Sequence, residues 1–162
     1  MSIITSIRRL TLTATMMGLA LVGTAAAQDG QTTVNVTKDG VAIHGYDAVA
    51  YFTEAKPVVG SASFTATHEG ATYRFSSAAN RAAFVAQPAR YAPQFGGYCA
   101  MGVAVGKKLD VDPTLFRVVD DKLYLNVNKD AQRMWLKEPV KHIGTASKRW
   151  KAVAAHKGFD TM

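Results

Sequence analysis

The sequence predicts one small α+β domain, in which antiparallel hairpins form a sheet packed by helices. Two stretches carry the hairpin pattern, Phe64–Phe75 and Leu115–Val127, each with large residues alternating around a polar turn. Helical patterning follows each of them. Strands and helices therefore come in runs, which argues against the strict alternation of a doubly wound parallel sheet.

Taken in order, the chain opens with Arg8 and Arg9, an apolar run from Leu10 to Val22 and the small residues Ala25, Ala26 and Ala27. This is the pattern of a secretory signal peptide over residues 1–27, leaving 28–162 as the domain. The run is shorter than the roughly 20 residues a membrane-spanning helix needs, so no stable membrane insertion is expected after cleavage. A periplasmic or secreted protein follows. The formal charge of +7 includes the two leader arginines, so the remainder is mildly basic. Lys137, Lys141, Lys148, Arg149, Lys151 and Lys157 gather towards the end on what reads as one solvated helix face and its tail. With export, nucleic acid is not an expected partner.

Val34–Thr37 and Val41–Ile43 flank Asp39-Gly40, a tight-turn dipeptide, and predict a short hairpin. His44 and Asp47 follow within one glycine turn, near enough to share a small site, although side chains of these types also fix turns through the backbone. In the first main hairpin His68-Glu69-Gly70 forms the predicted loop. Ser76 or Ser77 then caps a helix whose Ala79, Ala82, Ala83 and Phe84 suit a core-facing stripe, and Pro88 ends it. In the second hairpin Asp120-Asp121-Lys122 is the turn. Asn128 can cap a helix over Lys129–Glu138, and Pro139 starts another with Ile143, Ala146, Trp150 and Val153 at helical spacing. No internal repeat is evident along the chain.

Between the hairpins lies Ala92-Pro-Gln-Phe-Gly-Gly-Tyr-Cys-Ala-Met101, which holds the chain's single cysteine. Gly96 and Gly97 permit a tight backbone course that would place Cys99, with Tyr98 and Tyr46 shaping the surrounding loops. One cysteine makes no intramolecular disulfide, so in an exported protein Cys99 is buried, liganded or used for its reactivity. The Gly106-Lys107-Lys108 stretch lacks the remaining residues of a phosphate loop.

Several separated motifs point to a family. Gly45-Tyr46-Asp47-Ala48-Val49-Ala50-Tyr51-Phe52, Glu69–Ser77, Phe84, Pro88 and Tyr91 resemble the YHS domain. Pro93–Ala100, Val111-Asp112-Pro113 and Leu123-Tyr124-Leu125-Asn126 resemble its exported bacterial branch, the YHS domain-containing (seleno)proteins. The resemblance covers most of residues 28–162 and implies a small metal-binding module. Ala50, Ser76 and Asn80, however, stand where cysteine-bearing members place their thiols, so an inherited metal function would centre on Cys99. Selenocysteine in some members of the branch, at the matching position, implies redox or soft-metal chemistry there.

Three functions are therefore expected to compete. A soft-metal module would use Cys99 with Met101, His44, Asp47 and His142 as candidate ligands for copper or zinc, since thiolate, thioether and imidazole are the donors these ions favour. No organic cofactor is expected, and the partner would be the metal ion or an exported redox or metal-handling protein. A thiol enzyme would need Cys99 activated by a base such as His44 or by backbone N–H groups, and would work without a resolving cysteine. A scaffold would bury Cys99 inertly. Cys99 is expected near His44 and Asp47 in a partly accessible pocket roofed by some of Tyr46, Phe95 and Tyr98.

Overall fold

Two β-hairpins, each followed by a nine-residue helix, organise the chain. The computed structural model describes residues 33–161, and the signal peptide read at residues 1–27 lies outside the described residues. After a short turn at Ile43–Gly45 come α1 (Ala50–Thr53), β1 (Ser61–His68), β2 (Ala71–Phe75), α2 (Ala78–Ala86) and α3 (Pro88–Tyr91). A second short turn at Phe95–Gly97 leads to α4 (Ala100–Ala104), β3 (Asp112–Val119), β4 (Lys122–Asn126), α5 (Lys129–Lys137) and α6 (Pro139–Ala155). The α+β class is the one the sequence predicts.

Local chemistry accounts for most of these elements. Glu69 and Gly70 close the first hairpin with φ of 49° and 77°, and Asp120 and Asp121 close the second with 48° and 57°. Positive φ at both central residues matches the twist of the flanking strands. Ser77 accepts the Asn80 N–H and Asn128 accepts the Ala131 N–H, capping α2 and α5. Pro88 and Pro139 start α3 and α6, where a missing N–H costs nothing. The expected hairpin over residues 34–43 is reduced to a single bridge between Val36 and Ala42.

Three expectations are corrected by packing. The hairpins form two separate two-stranded sheets among the described residues, not one. Loop residues occupy the edges instead: Val41 bridges Thr72 of β2, and Cys99 bridges Leu125 of β4. On α2, Ala79 and Ala82 are exposed and Phe84 alone is buried, because its ring fills the space against Tyr73 and Phe75, at 4.6 and 5.1 Å between centroids. Burying such a ring contributes about 1.5–3 kcal/mol. His68 is not at the loop tip but ends β1 opposite Ala71, its ring edge-on to Phe84.

The fold is also a duplication, which corrects the reading that no repeat exists. Ser61↔Phe75, Thr65↔Arg74, Ala66↔Tyr73, Thr67↔Thr72 and His68↔Ala71 pair in the first hairpin. Asp112↔Asn126, Phe116↔Leu125, Arg117↔Tyr124, Val118↔Leu123 and Val119↔Lys122 pair in the second, each residue 51 positions on, with the bulge at the same place. The correspondence continues through the caps Ser77 and Asn128, the buried rings Phe84 and Trp135, and the linking residues Gln87 and Glu138, whose φ/ψ are −143°/64° and −144°/62°. Arg81 donates to Thr65 O just as Gln132 donates to Phe116 O. Upstream, with one residue more between turn and hairpin in the first half, Ile43-His44-Gly45-Tyr46-Asp47 corresponds to Phe95-Gly96-Gly97-Tyr98-Cys99, 52 positions on. Both turns have three consecutive positive φ values. The Asp47 N–H donates to Val58 O and the Cys99 N–H to Leu109 O, at 2.8 and 3.1 Å.

Candidate functional site

Asp47 and Cys99, expected to meet in one pocket, each occupy the same position in a different half. Asp47 is fully buried and accepts five hydrogen bonds: from the N–H groups of Val49, Ala50 and Ser76 at 2.9, 3.3 and 2.8 Å, and from Ser76 Oγ and Asn80 Nδ2 at 2.7 Å each. Five donors facing two oxygens is the partner set of a carboxylate. Its lone pairs are thereby committed to holding α1, β2 and α2 together. Ser76 and Asn80 are two of the residues that converge on it.

Cys99 is fully buried and N-caps α4. Its Sγ accepts the Gly102 N–H at 3.3 Å, and the backbones of Val127 and Met101 also hydrogen-bond it. Met101, Gly102 and Val127 correspond to Val49, Ala50 and Ser76, so the same three backbone donors surround carboxylate and thiol. Burial pushes the thiol above its ordinary range, and the backbone hydrogen bonds pull against that shift without overcoming it. Sγ lies 3.8 Å from Asn126 Oδ1, close enough for the thiol to donate weakly.

Asn126 is a functional candidate that sequence reasoning did not single out. It and Trp135 are fully buried, and Asn126 Nδ2 and Trp135 Nε1 find no acceptor among the described residues. Each buried donor left so costs about 1–3 kcal/mol. In the first half the corresponding residues are Phe75 and Phe84, an apolar pair in ring contact. The available signal was the polar end of Leu123-Tyr124-Leu125-Asn126, on the same strand face as Tyr124.

Beside Cys99 lies a groove of about 260 Å³ between α4 and α5, lined among others by Met101, Gly102, Leu109, Val127, Ala131 and Met134. Three of these residues carry the backbone groups bonded to the sulfur. Met101 has the second position of α4 and is 8% exposed, and Met134 is 51% exposed on α5.

The other expected ligands are elsewhere. His44, with φ of 49°, hydrogen-bonds Asp110 Oδ1 at 2.9 Å, and Asn35 Nδ2 donates to the same oxygen at 2.8 Å. Partial burial acts to raise the Asp110 carboxyl, but hydrogen bonds from Asn35, the Val111 N–H and His44 outweigh it and hold it below its ordinary value. His142 sits half-buried on α6, next to the exposed Glu138–Lys141 pair. Tyr98 does not roof Cys99. It packs with Val103, Ala146 and Val153 under α6, beneath the Lys108 ammonium, which lies 4.9 Å from its ring centre. Phe95 lies between Tyr124 and Trp150, 5.9 Å from each, and Tyr46 bridges Val59. Gly96 is obligatory: with φ of 59°, a Cβ there would stand 2.1 Å from Thr33 O.

Among the described residues no three His, Cys, Asp or Glu side chains converge as metal ligands. No family model, curated protein or solved structure matches the chain.

Proposed function

We propose that this chain is an exported YHS-like protein, periplasmic or secreted, that binds a soft cation, Cu(I), through sulfur. The observation that carries the reading is that Met101, Gly102 and Val127, three residues whose backbones hydrogen-bond Cys99, line a groove that the thioether residue Met134 also lines. Thiolate and thioether donors select Cu(I), whereas structural zinc asks for four N, S or O ligands, a set that His44, Asp47, Cys99 and His142 do not assemble. The duplication adds support. Gly102, Val127 and Ala131 line this groove, and they correspond to Ala50, Ser76 and Asn80, the positions at which the YHS resemblance places thiols. On this reading Cys99, Met101 and Met134 would hold the ion, which supplies a bound soft Lewis acid, and its natural source or recipient is another exported metal-handling protein.

A second reading, a thiol enzyme, draws on the backbone groups of Met101, Gly102 and Val127 around Sγ. Equilibrium competition with a chromogenic Cu(I) chelator under anaerobic conditions tests the first. One equivalent of Cu(I) retained by the protein of residues 28–162, lost in Cys99→Ser and weakened in Met101→Leu and Met134→Leu, is the expected result. Failure to compete for Cu(I) overturns it.

A further inference from the structure

The two halves differ most in how their matched sites are closed. In the first, the side chains of Ser76, just past β2, and Asn80 of α2 hydrogen-bond Asp47 Oδ2 and plug the space beside the carboxylate. In the second, the same positions hold Val127 and Ala131, which have no polar side-chain atom to send towards Cys99, and Ala131 is shorter than the asparagine it replaces. Both residues line the groove, together with Met101 and Gly102, whose backbones bond the sulfur. At the matched positions, the apolar pair Phe75 and Phe84 is exchanged for Asn126, whose Oδ1 lies 3.8 Å from Sγ, and Trp135, each bringing a fully buried N–H donor without an acceptor among the described residues. Packing alone does not call for either exchange, because the phenylalanine pair already fills this place in the first half.

We infer that the groove over Met101, Gly102, Val127 and Ala131 is the port through which Cys99 meets a small thiophilic ligand, opened by loss of the plug that Ser76 and Asn80 provide in the first half. The inference deepens the copper reading and rests on it for the ligand's identity. The port itself stands on geometry alone. Cys99 is fully buried, so the ligand enters by displacement of side chains at the groove floor, not through open solvent. The groove walls are mostly apolar, with Lys107 and Asp130 also lining it, which suits a small uncharged reagent or an ion delivered to thioethers.

The experiment rebuilds the plug. In Val127→Ser/Ala131→Asn, modification of Cys99 by methyl methanethiosulfonate, followed by mass spectrometry on the folded protein, is expected to slow at least tenfold against the parent. The parent rate should rise in proportion to reagent concentration. Met134→Trp, which fills the groove from its exposed wall, is expected to slow modification likewise and keeps the test valid if the double variant does not fold. A parent rate independent of reagent concentration, or unchanged by either variant, means that Cys99 is reached by unfolding and overturns the port. One equivalent of Cu(I) alone should block the modification. Modification that obeys the groove variants but ignores Cu(I) overturns the copper reading and supports the port.

Discussion

Asp47 and Cys99 are structural counterparts: each follows a left-handed turn and a tyrosine, each is fully buried, and each receives backbone hydrogen bonds from the residues two and three positions on and from the end of the second hairpin strand. One half spends this arrangement on holding itself together. The other places a sulfur in it.

Asp47 is expected to be the more costly of the two to remove. Asp47→Ala leaves five donors without their acceptor, and a loss on the order of 3 kcal/mol or more is expected in urea unfolding. Cys99→Ser keeps a group that can accept the Gly102 N–H and donate to Asn126, so about 1–2 kcal/mol is expected. Equal losses would contradict the assignment of structural and functional roles to the two halves.

The duplication makes a transplant predictable. Cys99→Asp alone buries a carboxylate that lacks the Ser76 and Asn80 partners of Asp47, and it should destabilise the fold severely. Adding Val127→Ser and Ala131→Asn supplies the missing donors, and recovery of about 2 kcal/mol or more relative to Cys99→Asp is expected from the cycle. No recovery would show that the two sites are alike only in backbone.

Asp110 ties His44 and Asn35 to the loop that leads into β3, and its carboxyl sits below the ordinary value in the folded state. A depressed carboxyl contributes stability that is present above its unfolded value and is lost as pH falls through the folded one. Unfolding free energy should therefore decline in the acid range below the ordinary aspartate value. Asn35→Ala should move the Asp110 titration upward by NMR and shrink that decline, whereas an unmoved titration would exclude the pairing as its cause.

Gly96→Ala sets a Cβ against Thr33 O and asks alanine to hold a positive φ. The backbone conformation alone costs roughly 1–2 kcal/mol, and the clash adds to it. A melting temperature within experimental error of the parent would contradict both the positive φ at Gly96 and its close approach to Thr33 O.

Local chemistry is what the sequence determined by itself. Alternating large residues, Glu69-Gly70 and Asp120-Asp121 at the turns, Ser77 and Asn128 as caps, and Pro139 at the start of α6 act within a few positions of the chain, so the hairpins and helices were legible there. The duplication was not, because the residues shared by the two halves are few: Gly45 with Gly97, Tyr46 with Tyr98, Ala48 with Ala100, Tyr73 with Tyr124 and Pro88 with Pro139 among them. Most other positions need only a size or a polarity, and many sequences meet that need. Cys99 was visible as the only thiol, and Met101 as its neighbour. That Asp47 and His44 are committed elsewhere, and that Asn126 lies against the cysteine instead, depends on contacts between residues 27 to 66 positions apart. Only the packed tertiary structure decides such contacts, since burial removes water as the alternative partner and makes each polar group answer to whichever neighbour the fold supplies.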